Sequence, residues 1–399
     1  MIYLYPANKM ENLLVLVDKI QQISPLPVFA KEVFVVQNAG MQHWLNMSLA
    51  ERRGISLNID YALPAQFLWG LVRSLVNKGE EVEQAPFSRE AMCWRIFQLL
   101  TDNRVVEDED FASVTQYWHS ESTTSANLKR YQLACQLADL FEQYLVFRPD
   151  WIDTWQAGNL TDPVTDNFAS LEKWQAKLWR LLVEHQDYNP VQLLAQATKN
   201  LDSYAHIIPK RLCFFGINAM APMWLSFINA LSEITEVHFF HLNPCVDYWG
   251  DILSEKQAIK NSEKWTENHQ LINDSVGNPL LANLGQQGRE FLVLLQQYSM
   301  VNIEAFESTL NQPSDELTYD ELNDDELTKA QVINKVPSVL THIQNDILTL
   351  SDARTTPNQL KDDSIVITSA HSALREVQGL HDWLLHQFNN DPTLTPKDV

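Results

Sequence analysis

Not one of the eleven glycines in this sequence is followed by lysine. A phosphate cradle of the type Gly-x-x-x-x-Gly-Lys-Ser/Thr needs glycines so that backbone N–H groups face the phosphates. It needs Lys for the β/γ charge and a hydroxyl for Mg²⁺. Its absence excludes nucleotide hydrolysis by that device. The four cysteines, Cys93, Cys135, Cys213 and Cys245, form no Cys-x-x-Cys pair. No zinc site or redox motif is therefore expected. Cys135 lies in a helical apolar pattern and Cys213 in a strand pattern, so both read as small buried hydrophobes, which suits a reducing cytoplasm.

Basic side chains are scarce: 29 Lys and Arg stand against 51 Asp and Glu, a formal net charge of -22. Phosphate neutralisation supplies most non-specific DNA affinity, so the chain does not read as a free-standing duplex binder. It fits a subunit whose partners bring the positive charge, a narrow lined channel, or acidity serving solubility alone. No apolar stretch approaches the ~18 residues of a membrane helix. Met1 to Tyr5 is a short apolar run that meets Pro6 with no basic residue before it, and reads as a strand rather than a signal peptide. There is no His-Glu-x-x-His and no Gly-x-Ser-x-Gly. His238 and His241, at i, i+3 in a strand, point to opposite faces and make a poor metal site. No cofactor or metal is expected.

What is present is a folded chain of 399 residues, 45% hydrophobic, with twelve Trp. Its length predicts two or three domains. Ile2 to Tyr5 reads as a strand and Met10 to Ile23 as a helix. Glu32 to Gln37 is a continuous apolar run, the mark of a strand buried on both faces. Asn38-Ala39-Gly40 then opens a helix through Trp44 and Leu49. This is the first unit of a parallel α/β sheet. Pro64 starts a helix, and helical patterns follow at 88–101, 128–146, 167–186 and 190–201 with no strand-like run between them. Strands return at Arg211 to Ile217 and Glu236 to Leu242, with a helix at Pro222 to Leu231 and another around Arg289 to Tyr298.

The acidic stretch 304–328 repeats Asp315-Glu316-Leu317, Asp320-Glu321-Leu322 and Asp325-Glu326-Leu327, and reads as a solvated linker. Then come a helix at Val336 to Leu350, a strand at Ser364 to Thr368 and a helix at Leu374 to Phe388. The predicted organisation is an α/β parallel-sheet domain from 1–62 and 203–300, interrupted by an all-helical insertion at 63–202. A linker and helix at 301–360 and the truncated start of a second α/β domain at 361–399 complete it. In a phosphate-loop protein, an acid for magnesium ends a hydrophobic strand. Here Leu212 to Ile217 ends in Asn218-Ala219.

Several runs resemble the RecC family, the gamma subunit of exodeoxyribonuclease V. They are Val35 to Leu45, Asn58 to Trp69, Ala138 to Trp151, Asn243 to Ile252, Gly277 to Ala282 and His371 to Val377. They stand in family order over nearly the whole chain, which would be roughly the first third of such a protein. The resemblance implies a RecA-like, superfamily 1 helicase fold without an ATP site, in complex with the RecB and RecD subunits. It also implies a non-catalytic role in splitting forked duplex ends and reading a Chi sequence in the 3′-ended single strand. It implies no membrane partner. The alternative resemblance is to the AddB type of helicase–nuclease, whose catalytic parts would lie outside this segment.

Carried over position by position, the resemblance assigns Chi reading to Gln37, Leu63, Trp69, Asp139, Leu140 and Arg148, which match in type. Glu142 stands where the pattern has Asp. Ala39 and His43 depart from a Thr and a Gln, and an arginine expected near residue 190 has no counterpart. The residue chemistry is compatible with base reading. Gln offers a donor–acceptor pair to adenine, a carboxylate accepts from cytosine, and Arg suits guanine. Trp69 and Leu63 suit stacking or wedging of single-stranded bases. Asp139 and Glu142 share a helix face. Taken singly, each has a blander reading: a solvated face for Asp139 and Glu142, core for Trp69, a strand-end hydrogen bond for Gln37.

Overall fold

Strands in this chain form where every second residue finds a different apolar layer to enter. A computed structural model describes residues 1–27, 29–77, 87–119, 123–161, 166–184, 189–253, 256, 277–308, 338–355 and 362–396. Its elements begin with β1 (Ile2–Ala7), α1 (Met10–Ile23), β2 (Glu32–Val36), α2 (Ala39–Arg53), β3 (Ile59–Ala62) and α3 (Pro64–Val76). Six helices follow without a strand among the described residues: α4 (Arg89–Leu99), α5 (Asn103–Val106), α6 (Ala112–Trp118), α7 (Thr123–Phe147), α8 (Pro149–Gln156) and α9 (Asp166–Val183). Then come α10 (Pro190–Asn200), β4 (Arg211–Phe215), α11 (Pro222–Leu231), β5 (Glu236–Leu242) and β6 (Met300–Asn302).

The six strands form one sheet in the order β3-β2-β4-β5-β1-β6, and every neighbouring pair is parallel. Alternate residues serve two cores. Leu4, Val33, Val35, Leu212, Phe214, Val237 and Phe239 face a layer made by α3, α10, α11 and the helix Gln286–Leu295. Tyr5, Phe34, Val36, Cys213, Phe215 and Phe240 face α1 and α2. Each such large side chain contributes roughly 1.5–3 kcal/mol by leaving water. These two-sided runs account for the buried strands.

The helices between β3 and β4 divide by what they pack on. α3 inserts Leu68, Leu71, Val72 and Leu75 into the sheet's core, and α10 adds Ala197. α4 to α9 instead build a separate apolar centre from Met92, Ile96, Phe111, Phe141, Trp155 and Trp179. Within that centre Glu172 is buried and accepts from Trp155 Nε1 at 2.7 Å and from the Thr161 amide at 2.6 Å.

The amino ends of two central strands are tied by an ion pair. Arg211, at the start of β4, reaches Glu32, at the start of β2, across 2.7 Å, and also donates to the Ser24 carbonyl. Two histidines on β5 diverge. His238 stacks between Tyr3 and Tyr5 on one face, and the His241 ring meets Phe291 on the other.

Several sequence expectations are corrected. The strand expected at Ser364 to Thr368 does not form, because no neighbouring strand among the described residues offers it hydrogen bonds; Ile367 is 91% exposed. The helix behind it does form, Ala373–Asn390, capped by Ser372, but it leaves Leu374, Val377, Leu380 and Trp383 exposed. β3 and β6 were not foreseen. The stretch after β6 is not free linker at its start. Ile303 and Ala305 donate to the Leu4 and Pro6 carbonyls at 2.9 and 3.0 Å, extending the sheet edge. The Asp-Glu-Leu echoes lie outside the described residues, as does Val336; the helix expected there runs Val339–Leu348. No helix among the described residues is long and apolar enough to cross a membrane.

Candidate nucleic-acid interface

Parallel strands point all their carboxyl ends one way, and the chain turns there present backbone and side chains to a ligand. β2 ends at Val36, so Gln37 is the first residue beyond it, and it is exposed. Asn38 then caps α2, its side chain accepting from the Met41 amide at 2.8 Å. That cap starts the helix one turn after the strand and leaves Ala39 and His43 exposed on its first turns.

β3 pairs with β2 so that Ala62 lies beside Val35. Leu63, the next residue, therefore comes out of the sheet next to Gln37. It is extended, precedes Pro64 at the first turn of α3, and is 45% exposed. A fixed proline φ suits that helix start, and the residue before a proline is held extended.

β4 lies on the other side of β2. Gly216 follows it with φ +66°, a left-handed conformation that glycine adopts without strain. Its amide donates to the Phe240 carbonyl at 2.9 Å. The turn delivers Asn218 to the same edge, where its Oδ1 accepts from Gln37 Nε2 at 2.6 Å. Gln37, Leu63 and Asn218 thus line the ends of three adjacent strands. The strand ends and first helical turns at 37–44 and 63–66, and the turn at 217–221, contain no Asp, Glu, Lys or Arg. On a chain of net charge -22 this edge is a neutral lip of amides and apolar groups.

Trp69 sits further along α3, half-buried, with its ring edge-on to Trp224 of α11 at 4.9 Å. Its indole is part of the sheet's core packing. α11 touches α7 as well.

The α7 residues have partners of their own. Both Asp139 oxygens are taken by Arg89 of α4, at 2.7 Å from Nε and 2.8 Å from Nη2. Leu140 is half-buried and Glu142 exposed. Arg148 is exposed just before α8, with its guanidinium 5.2 Å from the Trp151 ring centre. The structure therefore puts Gln37 and Leu63 just beyond the ends of two paired strands, with Trp69 further along the helix that Leu63 precedes. Asp139, Leu140, Glu142 and Arg148 form a second group on α7 and its end, linked to the first through α11.

Two residues of the arrangement were missed as site residues. Asn218 was noticed only as the neutral ending of a strand where an acid could stand; its contact with Gln37 spans 181 positions and has no local signature. Arg89 gives no sequence signal beyond its place in the first turn of a helix.

The RecC N-terminal domain model matches residues 2–350. The chain belongs to the RecC family. Over its whole length it is 32% identical to the RecBCD enzyme subunit RecC of Escherichia coli K12 and 30% identical to that of Haemophilus influenzae. The RecC of Mycolicibacterium smegmatis is 26% identical over 94% of the chain. The chain covers 36% of the Escherichia coli RecC, 38% of the Haemophilus RecC and 30% of the Mycolicibacterium one.

Proposed function

We propose that this chain is the amino-terminal part of a non-catalytic, DNA-tracking subunit of an exodeoxyribonuclease V-type helicase–nuclease. Its relatives carry the name RecBCD enzyme subunit RecC, and on that basis we assign it RecB and RecD partners, a cytoplasmic setting and a part in double-strand break repair by recombination. We read 1–62 with 203–300 as a helicase-like domain without an ATP site and 63–202 as a helical insertion. The chain at 361–399 we take as the first part of a second α/β domain.

The observation that carries the site reading is the charge-free lip at the ends of β3, β2 and β4. A single strand guided by its partners' positive charge meets no carboxylate there that would repel its phosphates. It meets instead the Gln37 and Asn218 amides, which can exchange their mutual hydrogen bond for the donor–acceptor edge of a base. Leu63 beside them is an apolar surface against which a base can rest. The α7 group, Asp139, Leu140 and Glu142 with Arg148, continues the same wall, with Arg89 holding Asp139 in place. Phosphate contacts supply position and the lip supplies sequence discrimination.

The test uses the full-length subunit assembled with its partners on forked DNA. Gln37→Ala should leave unwinding intact and remove the response to a recognition sequence in the 3′-ended strand. Loss of unwinding together with the response, or retention of both, overturns the reading.

A further inference from the structure

Two cysteines far apart in sequence meet in the helical centre. Cys93 of α4 and Cys135 of α7 place their Sγ atoms 2.8 Å apart. They form the middle rung of a ladder between two helices that run antiparallel. One turn to one side Arg89 meets Asp139, and one turn to the other Phe97 meets Tyr131 with ring centres 6.3 Å apart. The steps are four residues on each helix, so the rungs lie on facing stripes. Cores on this scale are close-packed and hold side chains in place. Met92, Ile96, Leu137, Ala138 and Phe141 flank the pair and are buried. The thiols are therefore held in contact, close to the ~2.05 Å of a disulfide bond. Cys93 is buried, whereas Cys135 is partly open to solvent.

We propose that Cys93 and Cys135 form a reversible disulfide, a modification site that takes a small-molecule disulfide oxidant of the glutathione class. The Cys135 thiolate attacks one sulfur of the oxidant, whose S–S bond breaks. One thiolate leaves and takes up the proton Cys135 gave up. Cys93 then attacks the Cys135 sulfur of the mixed disulfide, and the second small thiolate leaves with the Cys93 proton. Two electrons pass from the protein to the oxidant, giving one protein disulfide and two small thiols. Burial, and then the neighbouring Cys135 thiol, push the Cys93 thiol up to about 12. The bond closes a loop between positions 42 apart, restricting the unfolded chain. It also fixes the helix pair whose next rung holds Asp139.

Cys213 and Cys245 are buried and serve as internal controls. The 399-residue chain is incubated with glutathione disulfide, denatured in an alkylating agent and mapped by mass spectrometry without reduction. The expected result is loss of two of the four thiols and a cross-linked peptide joining Cys93 to Cys135, both reversed by dithiothreitol. Cys93→Ser should stop at a glutathione adduct on Cys135, losing one thiol. Retention of all four thiols in the unmodified sequence overturns the proposal, as does a stable Cys135 adduct beside a free Cys93. The peptide map of the unmodified sequence decides the matter even if a serine variant fails to fold.

Discussion

The Gln37 side-chain amide donates to Oδ1 of Asn218 across 2.6 Å, although the residues lie 181 positions apart. Both stand just beyond the carboxyl ends of adjacent parallel strands, and both are exposed. An exposed amide pair adds little to stability, so Gln37→Ala and Asn218→Ala should each change unfolding free energy by no more than about 0.5 kcal/mol. If the pair reads a base, each should lower discrimination between cognate and altered single strands by about 1–3 kcal/mol. Denaturant melts of the chain and competition binding by the assembled complex measure the two quantities separately. A large stability loss without loss of discrimination would make the pair structural.

Asp139 accepts both hydrogen bonds of the Arg89 fork, but both side chains are more than a third exposed. Solvent screening limits such a pair, so a double-mutant cycle of Arg89→Ala and Asp139→Ala should give a stability coupling of about 0.2–1 kcal/mol. If Asp139 reads a base and Arg89 orients it, the same cycle run on sequence response should be strongly non-additive. Additive effects on the response would separate the two residues.

The Arg211–Glu32 pair behaves differently. Arg211 is 1% exposed and sits between β2 and the end of α1. Removing Glu32 leaves a buried guanidinium with Glu236 at 3.6 Å as its remaining acid. Glu32→Gln should cost about 3–5 kcal/mol, read as a lowered urea midpoint with unchanged slope. A change under 1 kcal/mol would show that water reaches Arg211.

Acid should weaken the sheet before it reaches the carboxylates. Burial pushes His238 and His241 down to about 4, with the nearby Arg211 charge a further cause at His238. An unfolded chain takes up these protons near pH ~6.5 while the folded one does not. The unfolded state therefore binds more protons between those values, and stability falls as pH drops from about 6.5 to about 4. Each group contributes up to about 1.4 kcal/mol per pH unit across that window and nothing further below it. Asp18 acts in a lower window. Burial opposes its charge, but Arg53 and Arg52 hold its carboxyl below the usual range, so its contribution is lost only in stronger acid. Urea midpoints at pH 7.5, 5.5 and 4.5 should decline, and His241→Phe should reduce the slope. Equal midpoints from pH 7.5 to 4.5 would contradict the assignment.

The buried strands were legible because their residues leave no alternative. Glu32–Val36 and Arg211–Phe215 bury all five positions, and such a run suits only a strand inside a sheet. β3 and β6 were not legible: Ile59–Ala62 is only partly buried and Met300–Asn302 is three residues long. Both are strands only because β2 and β1 supply hydrogen bonds. Ser364 to Thr368 shows the converse, a strand-like run with no partner strand among the described residues. At the site, the resemblance to the RecC family singled out Gln37 and Leu63; the strand end before Gln37 and Pro64 after Leu63 place them but do not by themselves mark them as a site. Asn218 and Arg89 could not, since their meaning lies in contacts across the fold.

The most direct test of the base-reading lip is photo-crosslinking from single-stranded DNA. A 3′-ended strand carrying one photoreactive base at each position of the recognition sequence is bound to the assembled complex. Irradiated peptides are then mapped. The account predicts adducts within 37–43 and 63–69 and at Asn218, moving from one loop to the next as the photoreactive base moves. Adducts confined to the opposite, amino-terminal edge of the sheet, around Glu32 and Arg211, would contradict it.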